Sequence, residues 1–130
     1  MDGHERIHIK SAEHLFDLLE KMIGLLVETG EAYAVVSLGD TEFVQIMASD
    51  DGRLRLESSA SDKVLASNLG FDERLEHFDH IAATLIPADV PAKERWAART
   101  MTRLVVEVHE IEFPTDLDFN LDVNEYAMSS

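Results

Sequence analysis

Three short alternating segments in the middle of the chain, Ala32–Leu38, Thr41–Ala48 and Arg53–Ser58, constrain the fold more than any other feature. The residues between them, Gly39-Asp40 and Ser49-Asp50-Asp51-Gly52, are turn formers, so the three read as an antiparallel meander. A two-residue turn at Gly39-Asp40 sets Leu38 opposite Thr41, Val36 opposite Phe43 and Ala34 opposite Gln45. A four-residue turn at Ser49–Gly52 then sets Met47 beside Leu54 and Gln45 beside Leu56. On that register one side of the sheet is Val36, Leu38, Phe43, Met47, Leu54 and Leu56, which is a core side. The other side carries Tyr33, Val35, Val44 and Ile46, with Arg53, Arg55 and Glu57 from the third strand. A one-residue slip in register would exchange these assignments. A sheet apolar on one side and half apolar on the other needs two coverings, and the second can be another part of the chain or another molecule.

Helices suited to the first covering flank the meander. Residues 11–29 carry Leu15, Leu18, Leu19, Met22, Ile23 and Leu26 at helical spacing. Ser11 is placed to cap that helix, Glu13 sits in its positive first turn, and Gly30 ends it. After the meander, Asp62–Asn68 reads as a helical turn or loop broken by Gly70. Asp72 then caps a second helix, about Glu73–Leu85, with Leu75, Phe78, Ile81, Ala82 and Leu85 inward. Pro87 and Pro91 bracket a short loop before a third helix, about Ala92–Glu112, which Pro114 ends. Its stripe is Ala97, Met101, Leu104, Val105, Val108 and Ile111.

The end of the chain has a different pattern. Leu117, Phe119, Leu121 and Val123 alternate strictly with Asp116, Asp118, Asn120, Asp122 and Asn124, which is an extended segment with one apolar edge. It reads as a last strand of the same domain or as a mobile tail. The expected organisation is therefore one α+β domain over 1–113, an antiparallel sheet packed against helices, followed by an acidic extended tail over 114–130.

Composition narrows the function classes. The 130 residues suffice for one core without disulfides or metal, and a hydrophobic fraction of 45% is globular. There is no cysteine, hence no disulfide framework, thiolate metal site or cysteine nucleophile, which fits a cytoplasmic location. Met1–Lys10 lacks an apolar signal region, and no run approaches the roughly 20 apolar residues of a membrane span. With 26 acidic against 11 basic residues the net charge is −15, which repels nucleic acid and anionic membrane and favours basic partners.

Chemistry-bearing patterns are weak. Asp116-x-Asp-x-Asn-x-Asp resembles the start of a calcium loop, but Leu121 and Ala127 stand where its Gly and bidentate Glu are needed. His77 and His80, with Glu73 and Glu76 a turn earlier, lack a second ligand cluster and read as a solvated helix face. No nucleophile elbow, Gly-rich phosphate loop or dinucleotide fingerprint occurs, so no cofactor, metal or catalysis is expected. Arg95, Arg99 and Arg103 form a basic ridge on the third helix. The ridge pairs with acids of its own domain or holds an acidic segment, and the chain's own Leu117, Phe119 and Leu121 stretch is the candidate occupant. Trp96 plugs the base of the domain or anchors a partner. The group with the strongest claim to a partner is Tyr33, Val35, Val44 and Ile46, flanked by Arg55.

Helix, three-stranded meander, helical turn, helix and long final helix, over Leu15 to Phe113, resemble the type III secretion chaperone-like fold. The stretch looks most like the YbjN-related peptide-binding chaperone domains. The similarity is carried by Phe43-Val44-Gln45, Asp51-Gly52-Arg53-Leu54-Arg55-Leu56-Glu57, the stretch from Leu69 through Leu85, and Trp96. Ser61-Asp62 stands where those domains have a Ser-Asn pair, and Leu85-Ile86-Pro87 where they have a Gly-Trp. The resemblance implies a non-catalytic domain, often dimeric, that holds an extended peptide of a partner. The expected function is thus a protein- or peptide-binding module, with an acidic immunity- or antitoxin-type inhibitor of a basic enzyme as the alternative.

Overall fold

In a computed structural model, residues 2–30, 32–71, 73–74 and 80–123 are described, those at 2–3, 73–74 and 122–123 by backbone alone. The chain runs β1 (Asp2–Ile9), α1 (Ala12–Thr29), β2 (Ala32–Ser37), β3 (Phe43–Ala48), β4 (Leu54–Ser58) and α2 (Ser61–Ala66). It continues through β5 (Glu73–Arg74), β6 (Ala82–Ile86), α3 (Lys93–Arg103), a π-helical turn (Leu104–Val108) and β7 (Thr115–Val123). The fold is α+β: one sheet in the order β1-β7-β2-β3-β4-β6-β5, antiparallel at every described pairing.

α1 forms as its sequence dictates. Ser11 Oγ accepts from the His14 backbone N–H at 3.1 Å, and Gly30 closes the far end at φ +91°, where a side chain would be strained. Leu15, Leu19, Ile23 and Leu26 line its buried face. α1 lies against α3, whose Ala97, Ala98 and Met101 continue into buried Leu104, Val105 and Val108 of the π-helical turn. Together the two helices cover the inner side of the sheet. That side is built from Ala34 and Val36 of β2, Val44 and Ile46 of β3, and Leu54 and Leu56 of β4, none of them exposed.

The meander corrects the expected register at β3. Leu38 N–H donates to Glu42 O at 2.8 Å, so the first loop is three residues, Gly39–Thr41, not two. Ser49 N–H donates to Arg53 O at 3.1 Å, so the second is also three, Asp50–Gly52, not four. Gly52 sits at φ +89° and its carbonyl accepts from Lys93 Nζ, which matches the three-residue loop closed by a left-handed Gly. One residue gained and one lost cancel at β4, so β3 alone is turned over. Val36 therefore faces Val44, and Ile46 faces Leu56. Val44 and Ile46 are core residues, and Phe43 and Met47 stand on the opposite side.

Two further expectations change. The helix expected over Glu73–Leu85 is replaced by β5 and β6, which pair with each other, and β6 pairs with β4 as well. Thr84 and Ile86 face inward there opposite Leu56 and Leu54, and Pro87 bounds the strand. Leu85, expected inward, is 47% exposed on the other side, while Asp72, Leu75, His77 and Phe78 lie outside the described residues. The expected tail over 114–130 is a strand as far as Val123. β7 is hydrogen-bonded to β1 on one edge and β2 on the other, with Leu117 and Phe119 buried in the core; 124–130 lie outside the described residues. The N-terminal residues Asp2–Ile9, for which the sequence suggested no element, are the strand that β7 holds.

Candidate functional site

The side of the sheet away from α1 and α3 is laid out by the strand register. One row across it runs Tyr33, Met47, Arg55 and Leu85; the next runs Asn120, Val35, Gln45, Glu57 and Ala83; Asp118, Ser37 and Phe43 follow. Tyr33, Val35, Phe43 and Met47 are partly exposed and do not pack against the hydrophobic core cluster, whereas the partly buried Leu38, Leu65 and Ile111 do. No described helix packs over them. The apolar centre of this face is bordered by ion pairs: Arg55 Nε lies 3.1 Å from Glu57 Oε1 on one flank. On the other, His8 Nδ1 lies 2.7 Å from Asp116 Oδ1, with Arg6 Nε 3.7 Å from the same carboxylate. The hydrogen bond from His8 holds the Asp116 carboxyl below the usual carboxylate range.

At the hairpin end the face dips into an open concavity of about 360 Å³ lined by Val35, Ser37, Phe43, Gln45 and the loop Gly39–Glu42. An apolar floor of Val35 and Phe43 with Asp40 and Glu42 beside it suits a long cationic side chain, whose stem is apolar and whose head is charged.

Of the residues expected to bind a partner, Tyr33, Val35 and Arg55 share this face. Val44 and Ile46 do not: both are wholly buried beneath the helices, because β3 is turned over. Trp96, 40% exposed at the start of α3, borders Gly70 and belongs to the helical side of the molecule. Arg95, Arg99 and Arg103 are exposed on α3, and Arg103 Nε pairs with Glu107 Oε2 at 2.6 Å, which holds the Glu107 carboxyl below its ordinary value. They do not meet the Leu117, Phe119 and Leu121 segment as expected. Leu117 and Phe119 are buried on the inner side of β7, and Leu121 packs against the same core.

Phe43, Met47 and Leu85 were missed as open-face residues. The signal for the first two was present in the alternative register. Also missed was a buried polar group under the hairpin end. His109, at the close of the π-helical turn, has a fully buried side chain whose Nε2 lies 3.0 Å from Ser58 Oγ. Ser58 Oγ donates its own hydrogen to Ser59 O at 2.9 Å, so His109 Nε2 carries the hydrogen and donates to Ser58. Nδ1 then has only a lone pair and no hydrogen-bond partner, and Glu42 Oε2 lies 3.7 Å away. Burial pushes the His109 pKa down, opposed by Glu42 and assisted by Lys63. This Ser-His-Glu sequence of groups is not a nucleophilic relay: Ser58 is unexposed and is the acceptor of the histidine hydrogen, with no base for its own.

Among the described residues no three His, Asp or Glu side chains converge on a metal-binding arrangement, and no helix is long and apolar enough to cross a membrane. No family model, curated protein or solved structure matches the chain.

Proposed function

We propose that this protein is a non-catalytic binding module that holds an extended, basic segment of a partner protein on the open side of its sheet. The observation that carries the reading is the row of part-exposed apolar side chains, Tyr33, Val35, Phe43 and Met47, left outside the core by a sheet whose other side is sealed by two helices. Leu85 extends the row toward β6. Apolar side chains of the partner rest on these residues, and the net charge of −15 selects a cationic segment and repels nucleic acid. The resemblance to chaperone-like domains points the same way. The contact residues are those of the observed register, with Phe43 and Met47 in place of Val44 and Ile46. A homodimer through this face would bring two such charges together, which disfavours it.

Titration with a synthetic peptide of about ten residues alternating Lys with Leu tests the reading. Wild-type protein binds it, and Val35→Asp loses binding while keeping the wild-type circular dichroism spectrum. Retained binding by a folded Val35→Asp variant would defeat the assignment. The alternative, an inhibitor that blocks a basic folded enzyme, draws on the same charge; it calls for binding that collapses with salt and leaves Val35→Asp nearly as tight as wild type.

A further inference from the structure

His109 is linked to both residues at the hairpin end of the open face, to Phe43 through two serines and to Glu42 across a short gap. Through Nε2, Ser58 and Ser59 it is connected to Phe43: Ser59 Oγ accepts from Phe43 N–H at 2.8 Å, and Ser59 N–H donates to Phe43 O at 3.1 Å. Through Nδ1 it confronts the Glu42 carboxylate, one residue earlier, across a gap of 3.7 Å. In the neutral histidine that gap separates two groups that can only accept, so it cannot close into a hydrogen bond. A single proton on Nδ1 turns it into an acceptor facing a charged donor. The Glu42 side chain is 46% exposed, and a closer approach of about half an ångström would bring it within hydrogen-bond distance of Nδ1.

We infer that His109 and Glu42 form a proton-operated latch beneath the binding face, and that closing it weakens the hold on a basic partner segment. The inference rests on the reading given under Proposed function. The charged groups around the imidazole come from two packed elements, Glu42 on the β2–β3 loop and Lys63 on α2, with the neutral Ser58 from β4. Protonation adds a positive charge at His109 and engages Glu42, which lines the concavity floored by Phe43. The local potential that draws a lysine or arginine into that concavity falls. By linkage the effect is mutual: a bound cation at Glu42 makes His109 harder to protonate. Because burial favours the neutral form, the latch stands open at neutral pH and closes in acid.

Long-range proton–nitrogen NMR of the histidine rings in the full chain reads the latch without any partner. The expected result is a neutral His109 with hydrogen on Nε2 at pH above 7, titrating below the ordinary histidine value of about 6.5, and titrating lower still in Glu42→Gln. A hydrogen on Nδ1, a charged ring at neutral pH, or a midpoint unmoved in Glu42→Gln overturns the latch. The control of binding is read separately with the Lys-Leu peptide. Affinity should fall by about fivefold or more on acidification in the wild type and by clearly less in His109→Gln, which retains His4, His8, His14, His77 and His80 as internal controls. An equal fall in both proteins overturns the control while leaving the binding reading intact. Absence of binding at every pH overturns that reading and this control with it, whatever the NMR titration gives.

Discussion

Val44 and Met47 stand three residues apart on one strand and answer opposite questions. Val44 is wholly buried under the helices, so Val44→Asp places an unpaired carboxylate in the core and should cost about 4 kcal/mol or more, enough to unfold most of the chain. Met47 shares the open face with Tyr33 and Arg55, and Met47→Asp should change stability by less than about 1 kcal/mol. Urea denaturation of the two variants checks both; similar losses would mean that β3 is not turned as described. His109 gives a second prediction at this scale. Its folded pKa lies below its unfolded value, so the unfolded chain takes up a proton first as pH falls. The stability due to neutral burial is complete above about pH 6.5 and is lost between there and the folded pKa. His109→Gln removes that slope, and denaturation midpoints measured between pH 7 and 5 should fall less in the variant than in the wild type.

Among the elements, β7 decides whether the sheet closes. It is bonded to β1 and β2 at once, and among the described residues β1 has no other partner in the sheet. A chain stopped after Phe113 should therefore lose cooperative thermal unfolding, whereas an appended tail would be dispensable. At the other end of the scale, Ser11→Ala removes the side-chain cap of α1 and should cost about 1 kcal/mol by chemical denaturation. Elements with one dominant period were legible in the sequence: α1 from its leucine stripe and cap, the three meander strands from their alternation, α3 and the π-helical turn after it from the stripe of Ala97, Met101, Leu104, Val105 and Val108. β6 was not. Leu75, Phe78, Ile81, Ala82 and Leu85 have helical spacing, yet Ala82–Ile86 is claimed by pairing with β4, a long-range choice that local pattern does not contain. The orientation of β3 was lost for a different reason. Hairpin register depends on loop length, and Gly39-Asp40-Thr41 and Asp50-Asp51-Gly52 do not announce theirs by composition alone. The latch of His109, Ser58 and Glu42 joins residues from three separate elements, so no spacing could reveal it.

For the molecule as a whole, the proposed function divides the work between the two sides of one sheet, stability on the sealed side and recognition on the open one. The helices supply the core on one side; charge and apolar rows share the other. Binding of a basic segment that rests on apolar contacts should weaken only mildly with salt, by about tenfold or less between roughly 0.05 and 0.5 M, as followed by fluorescence anisotropy of the labelled Lys-Leu peptide. The most direct test of the open face uses the lack of native cysteine. Thiol labelling rates would be measured for Met47→Cys, on the face, and Ala66→Cys, exposed on α2, with and without that peptide. Both thiols should react freely in the unbound protein, and only the one at position 47 should be protected when peptide is bound. A thiol at 47 that reacts at the same rate in the complex, or protection at 66 instead, would contradict the account.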